Sequence, residues 1–423
     1  MHVCLINIEH PVLVGGRQTY VITLIKYLIR CKEIDKVTHI VAKPPLNPAN
    51  DQYISEIYSS NKFQEVHVPI SSNDGQAFFK EFIEKAREVL EKVHKNDKID
   101  IVHSHGVVDS HAATKLRKTY RVPILQTIHS PPPPDEEFWL NNARNFVDLT
   151  IVLSNSMKKW AMSIGYSANK LSIVPGFIDF ELFDPNNISE EQIKRLEQVS
   201  NFKLNELDDS FIIYCPARFS PSKGVDVLFR ALNILNKHQS ATDIRILLTG
   251  RGASRELLLP HLRLKLRFFI NYLYELGRDL QVDNLVINYE RLFDTEKTLR
   301  IPYELVPCLY KISDIVVYPS LLYPHFEAFG LVAIESMRMG VPIVSTKNGG
   351  LAEIIRNLET GILVEPGNHT QLADAIQMLA KNYELRYSVI QKAREYVKKY
   401  DARNVVKDLV KVYLHLLEDT KIS

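Results

Sequence analysis

Two acidic side chains interrupt a stretch that otherwise reads as buried. In "HFEAFGLVAIESM", residues 325–337, Glu327 and Glu335 flank an apolar run. An ionised carboxylate buried without a partner costs several kcal/mol, so each of these needs a ligand or a counter-group. Gly330 lets the chain turn into a helix beginning near Leu331, and the free amides of such a helix start, beside Phe329 and Gly330, form an anion site. At about 100° per residue Glu335 falls in the second helical turn while Glu327 stays in the loop, so the two can reach one ligand from different sides. Carboxylates repel phosphate but accept hydrogen bonds from sugar hydroxyls, which is the better chemistry for both. A local ion pair between Glu335 and Arg338 is the alternative.

Cations stand upstream. "YCPARFSPSKG" places Arg218 and Lys223 in one strand-to-helix loop. Arginine grips two phosphate oxygens at once and lysine acts as a movable point charge, which suits a diphosphate, although two solvated surface cations would read the same way. "LVGGRQTYV" puts Gly15 and Gly16 between a strand and a helix, where the backbone can approach a ligand closely or simply turn. Histidines gather at strand ends: His103 and His105 in "VHSHG", and His129 in "QTIHS". His103 reads as an inward strand residue, whereas His129, followed by a turn and "SPPPP", has the better case for touching substrate. No carboxylate or cysteine lies at ligand spacing from them, so no metal is expected. "TGRGASR" approaches the dinucleotide fingerprint with Gly250 and Gly252, but Arg255 takes the place of the third glycine, so a nicotinamide cofactor is not expected either.

The elements that must position these residues alternate along the chain. The short apolar runs "HVCLINI", "VTHIVA", "EVHVPI", "IDIVHS", "PILQTI", "LTIVLS" and "LSIVPGF" are separated by helical stretches, which predicts a parallel sheet covered on both faces. A polar, charged segment follows Asp184. A second set then begins: "FIIYCPA", "IRILLTG", "LVINY", "DIVVYPS", "VPIVST" and "GILVE". The pattern predicts two Rossmann-like α/β domains, residues 1–180 and 181–395. A terminal helix, 396–423, with apolar positions Val405, Val406, Leu409, Val412, Tyr413 and Leu416, is expected to cross back to the first domain. In open parallel sheets ligands bind outside the strand carboxyl ends, and the unusual residues fall there.

The totals fit. A chain of 423 residues exceeds one ordinary core, and 45% hydrophobic with 24% charged residues is the composition of a folded globular protein. With 52 basic and 50 acidic side chains, nothing in the whole-chain charge proposes nucleic acid as a partner. Cys4, Cys31, Cys215 and Cys308 are scattered without C-x-x-C spacing and read as reduced thiols. "MHVCLINI" starts as a strand and no run is long enough to span a bilayer, so a cytoplasmic location is expected. In residues 254–278 Arg263, Lys265 and Arg267 alternate with leucines and aromatics. A helix covering the second sheet accounts for this, and peripheral contact with anionic lipid is the rival.

Together "EAFGLVAIE", "GVPIVSTKNGGLAEII", "TGILVEPGN", "ARFSPSKG", "HSHG", "TIHS" and "SIVPGFIDFELF" resemble a family 4 retaining glycosyltransferase of GT-B fold, two Rossmann-like domains facing a central cleft. The likeness implies a nucleotide-diphosphate sugar as co-substrate, with UDP, GDP and ADP all open, and a carbohydrate or lipid-linked hydroxyl acceptor. No further cofactor is implied. It implies that Arg218 and Lys223 hold the diphosphate with amides near Phe329, Gly330 and Leu331, that Glu327 binds sugar hydroxyls and Glu335 the ribose. His129 would lie near the reacting sugar, and Gly15 and Gly16 would let the first loop approach donor or acceptor. Transfer in such enzymes retains the anomeric configuration, with the leaving phosphate taking the acceptor's proton. No D-x-D occurs in the chain, which argues against the metal-dependent glycosyltransferase fold. Pro175 is followed directly by Gly176 and Phe177, where the family's interdomain segment usually reads P-N-G-V-D. A nucleotide-sugar epimerase of the same fold and a non-catalytic nucleotide-sugar-binding subunit are the alternatives.

Overall fold

The computed structural model describes residues 1–8, 15–42, 52–72, 75–131, 143–200, 207, 210–237, 243–250, 260–287, 301–322 and 326–422. The chain divides into two compact units, Met1–Phe177 with Tyr400–Ser423, and Ile178–Lys399.

The first unit contains, in order, β1 (His2–Asn7), α1 (Gly16–Ile29), β2 (Lys36–Ala42), α2 (Gln52–Tyr58), β3 (Phe63–Val68), α3 (Gly75–Asn96), β4 (Ile101–Ser104), α4 (Val107–Tyr120), β5 (Ile124–Ile128), β6 (Leu149–Val152), α5 (Asn155–Ser163) and β7 (Leu171–Ile173). These strands form one parallel sheet in the order β3-β2-β1-β4-β5-β6-β7. Every residue of β1 is buried, as is every residue of β4 and β5, because helices cover both faces and leave no polar side to the alternation. Helix starts are fixed locally: the Ser154 hydroxyl accepts from the Met157 amide at 3.2 Å to cap α5.

The second unit runs α6 (Glu190–Ser200), β8 (Phe211–Arg218), α7 (Val225–Lys237), β9 (Ile244–Gly250), α8 (Pro260–Asp279), α9 (Val306–Lys311), β10 (Ile315–Tyr318), α10 (Leu331–Met339), β11 (Ile343–Thr346), α11 (Gly350–Ile354), β12 (Ile362–Val364), α12 (His369–Lys381) and α13 (Tyr383–Tyr396). Its sheet is also parallel, ordered β12-β11-β10-β8-β9. The expected strand "LVINY" enters as an isolated parallel bridge, Ile246 with Val286, on the outer edge of β9, and its last two residues lie outside the described ones. With that bridge the order is that of a Rossmann sheet.

The last helix, α14 (Ala402–Ile422), belongs to the first unit and packs on α1. Val405, Val406, Leu409, Tyr413 and Leu416 are buried as their spacing suggests; Val410 is buried where the sequence pattern points to Val412, because 406, 410 and 413 continue the covered stripe at the helical period. Among the described residues no helix is long and apolar enough to cross a membrane. Leu409 is fully buried. Leu409→Ala is therefore expected to cost the first unit roughly 2–5 kcal/mol in urea unfolding followed by a probe in that unit, and a loss under 1 kcal/mol would contradict the docking.

Candidate functional site

In each sheet the strand order reverses once, between β1 and β4 in the first and between β8 and β10 in the second. Loops leaving the carboxyl ends of such a strand pair diverge to opposite faces and open a crevice between them. Of the sequence-predicted residues of the second unit, Arg218 ends β8 and Lys223 follows in the next loop, Glu327, Phe329 and Gly330 lie in the loop after β10, and Leu331 and Glu335 belong to α10.

Those two loops are laced together before any ligand arrives. The Leu321 amide donates to the Ser222 carbonyl at 2.7 Å. Gly224 has φ +66°, and a Cβ there would stand 2.0 Å from the Pro319 carbonyl oxygen, so only glycine lets the loops close on one another. Lys223, just before it, reaches across: Nζ donates to the Tyr318 hydroxyl at 2.8 Å and pairs with Glu327 Oε1, to which the Tyr318 hydroxyl also donates at 3.2 Å. Burial alone would push the Lys223 ammonium down; Glu327 and Tyr318 outweigh it, against a smaller opposing push from Arg218, and hold it above its ordinary value. At the end of β8 the Arg218 carbonyl accepts from the Ser220 amide at 2.8 Å, while its guanidinium has no hydrogen-bond or ion-pair partner among the described residues. A cation without a protein acceptor, beside one already paired, leaves local positive charge to spare.

Glu327 is held from behind. Its amide donates to Asn348 Oδ1 at 3.1 Å, and its carbonyl accepts from the Gly350 amide at 2.7 Å. Asn348 is itself fixed, donating to the Leu321 carbonyl at 2.9 Å and to Ser320 Oγ at 3.1 Å. Gly349, at φ +48°, brings the chain within 2.3 Å of the Glu327 carbonyl measured from a hypothetical Cβ. Sequence reasoning missed Tyr318 and Asn348 as site residues. The first looks like an ordinary strand residue, but "NGG" at the end of β11 is a turn signal that could have marked the second.

Gly330 caps α10 without any side-chain capping bond, its carbonyl accepting from the Ala333 amide at 3.0 Å, so that the Leu331 and Val332 amides before it have no side-chain cap; Phe329 is buried just before it. Glu335, one turn further, does not pair with Arg338, which instead binds Asp184 at 2.7 Å and the Phe180 carbonyl at 3.2 Å. Its Oε2 accepts from the Tyr310 hydroxyl at 2.6 Å, in a buried cluster where Tyr310 meets Tyr214 edge-on at 5.0 Å. Burial pushes the Glu335 carboxyl up to about 7, only partly offset by the Tyr310 bond.

The remaining predicted residues belong to the first unit. Gly15 precedes α1 and Gly16 opens it, while 9–14 lie outside the described residues, as do 251–259 with Gly252 and Arg255, and His325. His129, half-buried after β5, accepts or donates at Nε2 to His105 Nδ1 at 3.1 Å, and packs edge-on to Tyr20 at 4.8 Å. Among the described residues no group of three or more His, Cys, Asp or Glu side chains is arranged to hold a metal.

Because the folded Glu335 carboxyl titrates above its ordinary value near 4.5, folding takes up a proton between about pH 4.5 and 7. Stability contributed by this group therefore falls as pH rises through that window and is flat above it. Glu335→Gln is expected to gain on the order of 1–3 kcal/mol over wild type at pH 8, shrinking toward nothing near pH 4.5, in urea unfolding at both values. A pH-independent difference would contradict the assignment.

Residues 14–182 match the family model described as Glycosyltransferase Family 4, and residues 197–396 match Glycosyl transferases group 1. An uncharacterised glycosyltransferase of Methanocaldococcus jannaschii is 28% identical over 338 residues, 76% of this chain and 77% of the relative. The D-inositol 3-phosphate glycosyltransferase of Corynebacterium efficiens is 26% identical over 74% of this chain and 70% of its own. Among solved structures, sucrose-phosphate synthase from Thermosynechococcus elongatus superposes with a TM-score of 0.76 at 20% identity, covering 99% and 100% of the two chains. Anabaena HepE in complex with UDP and glucose gives 0.74 at 17% identity, over 97% and 98%. Two parallel-sheet domains and these likenesses are those of the GT-B fold.

Proposed function

Because the chain belongs to the family 4 glycosyltransferases, we propose that it transfers a hexosyl group from a nucleotide-diphosphate sugar to a hydroxyl acceptor, with retention and without a metal. The observation that carries this reading is the Lys223–Tyr318–Glu327 cluster at the strand-order reversal of the second sheet, with Arg218 unpaired among the described residues beside it. Arg218, Lys223 and the first amides of α10 are the groups we assign to the diphosphate. As the glycosidic bond breaks, negative charge builds on the leaving oxygen, and fixed cations and amides in a site of low exposure stabilise it with no reorganisation at that moment. A diphosphate competing for Lys223 would release Glu327 from its pair, freeing the carboxylate to accept from sugar hydroxyls. Glu335 takes the ribose in this reading, and His129, Gly15 and Gly16 serve the sugar and acceptor from the first unit. The proton of the acceptor hydroxyl passes to the departing phosphate on the same face, so no protein nucleophile is required.

HepE was solved with UDP and glucose, which makes UDP-glucose the first donor to try; the inositol phosphate relatives make a polyol phosphate the first acceptor. A panel of UDP-, GDP- and ADP-sugars is expected to raise the melting temperature for one base, since a ligand that binds only the folded state stabilises it by mass action. With that donor, Glu327→Ala is expected to lower turnover roughly 10²- to 10³-fold with nucleotide binding kept, measured by released nucleotide and by calorimetry. Full turnover in this variant would remove the sugar-binding role.

Lipid-linked acceptors fall within the same proposal. On α8, Leu264, Phe268 and Tyr272 are 56%, 68% and 44% exposed and follow one another at four-residue spacing, with Arg267 exposed among them, while Ile270 and Leu273 face inward. An apolar stripe of this kind suits the headgroup boundary of an anionic bilayer. Sedimentation with phosphatidylglycerol-containing vesicles is expected to carry the protein down at low salt and release it at high salt. Equal recovery in the supernatant with and without vesicles would remove the lipid contact.

A further inference from the structure

Three imidazoles and a distant tyrosine form a connected array at the carboxyl edge of the first sheet. His103 is satisfied at both ring nitrogens, Nδ1 with the Tyr413 hydroxyl of α14 and Nε2 with Thr127 Oγ1, each at 2.7 Å. Its ring lies 4.2 Å from that of His105. His105, 1% exposed, uses Nδ1 on His129 Nε2 at 3.1 Å, while its Nε2 is buried with no hydrogen-bond partner among the described residues. Burial, reinforced by neighbouring imidazoles and by Arg17, keeps both His105 and His129 neutral near pH 7.

Each neutral ring carries one N–H and one lone pair, so the contact between them has two possible arrangements. If His129 Nε2 donates, His105 must carry its proton on Nε2, where a buried N–H would stand without an acceptor. If His105 Nδ1 donates, that same atom is only a bare lone pair. Orphaned buried N–H groups are the rarer and costlier of the two. We propose that His105 is a positioning residue that fixes His129 in its Nδ1–H tautomer, so that His129 offers substrate a hydrogen-bond donor and not a base. Its partner is then an acceptor oxygen of the bound sugar, and it cannot take the proton of the attacking hydroxyl. The bearing on transfer rests on the placement of His129 beside the donor sugar; the tautomer itself does not.

Long-range 1H–15N spectra of the full chain with ring-labelled histidine read the tautomer without any substrate, and so stand apart from whether transfer occurs. His129→Gln identifies the relevant signals among the 14 histidines. The wild type is expected to show His129 protonated at Nδ1. His105→Asn, whose amide nitrogen reproduces the Nδ1 donor, is expected to keep that pattern, and His105→Phe to shift it to Nε2–H. Protonation at Nε2 in the wild type, or an unchanged pattern in His105→Phe, would overturn the proposal. Should the phenylalanine variant fail to fold, the wild type and His105→Asn still decide it.

Discussion

A half-buried ammonium paired with a half-buried carboxylate organises the second unit. Lys223 and Glu327 come from loops 104 residues apart, with side chains 13% and 17% exposed. Removing either from water is costly unless the other is there, so each loop's conformation depends on its neighbour's charge. The backbone bond between Leu321 and Ser222 and the contact of Gly224 with Pro319 keep the pair in register. In the proposed transfer a ligand would meet a charge arrangement already built, the condition under which electrostatics can lower a barrier rather than respond to it.

Two carboxylates eight positions apart end up in opposite electrostatic states. Glu327 sits against an ammonium and a phenol hydroxyl. Glu335 has only the Tyr310 hydroxyl in a buried aromatic setting, and desolvation moves its titration into the neutral range. The same residue type thus pairs with an ammonium at one place and is a proton-sensitive acceptor at another. Environment, not identity, divides the work.

Much of this was visible before folding. The alternation of apolar runs gave both sheets, and the strand-end positions of Arg218, Lys223, Glu327 and His129 followed from it. Residues whose part depends on register or on distant chain were invisible. Tyr318 reads as one more apolar strand residue, and only the pairing of β10 between β8 and β11 turns its hydroxyl toward Lys223. Arg338 was the sequence-local partner for Glu335, yet Asp184 claims it. The contact of His105 with His129 requires β4 beside β5, and that of His103 with Tyr413 requires a helix at the far end of the chain.

That last contact spans 310 positions. The second unit is one continuous segment, whereas the first is assembled from both extremities, with Met1–Phe177 waiting for Tyr400–Ser423. During synthesis the second unit can therefore finish before the first, whose α1 face stays uncovered until the segment carrying α14 has been made. An amino-terminal fragment cut near Phe177 would expose that face permanently, and expression of the halves separately should favour the carboxyl-terminal piece.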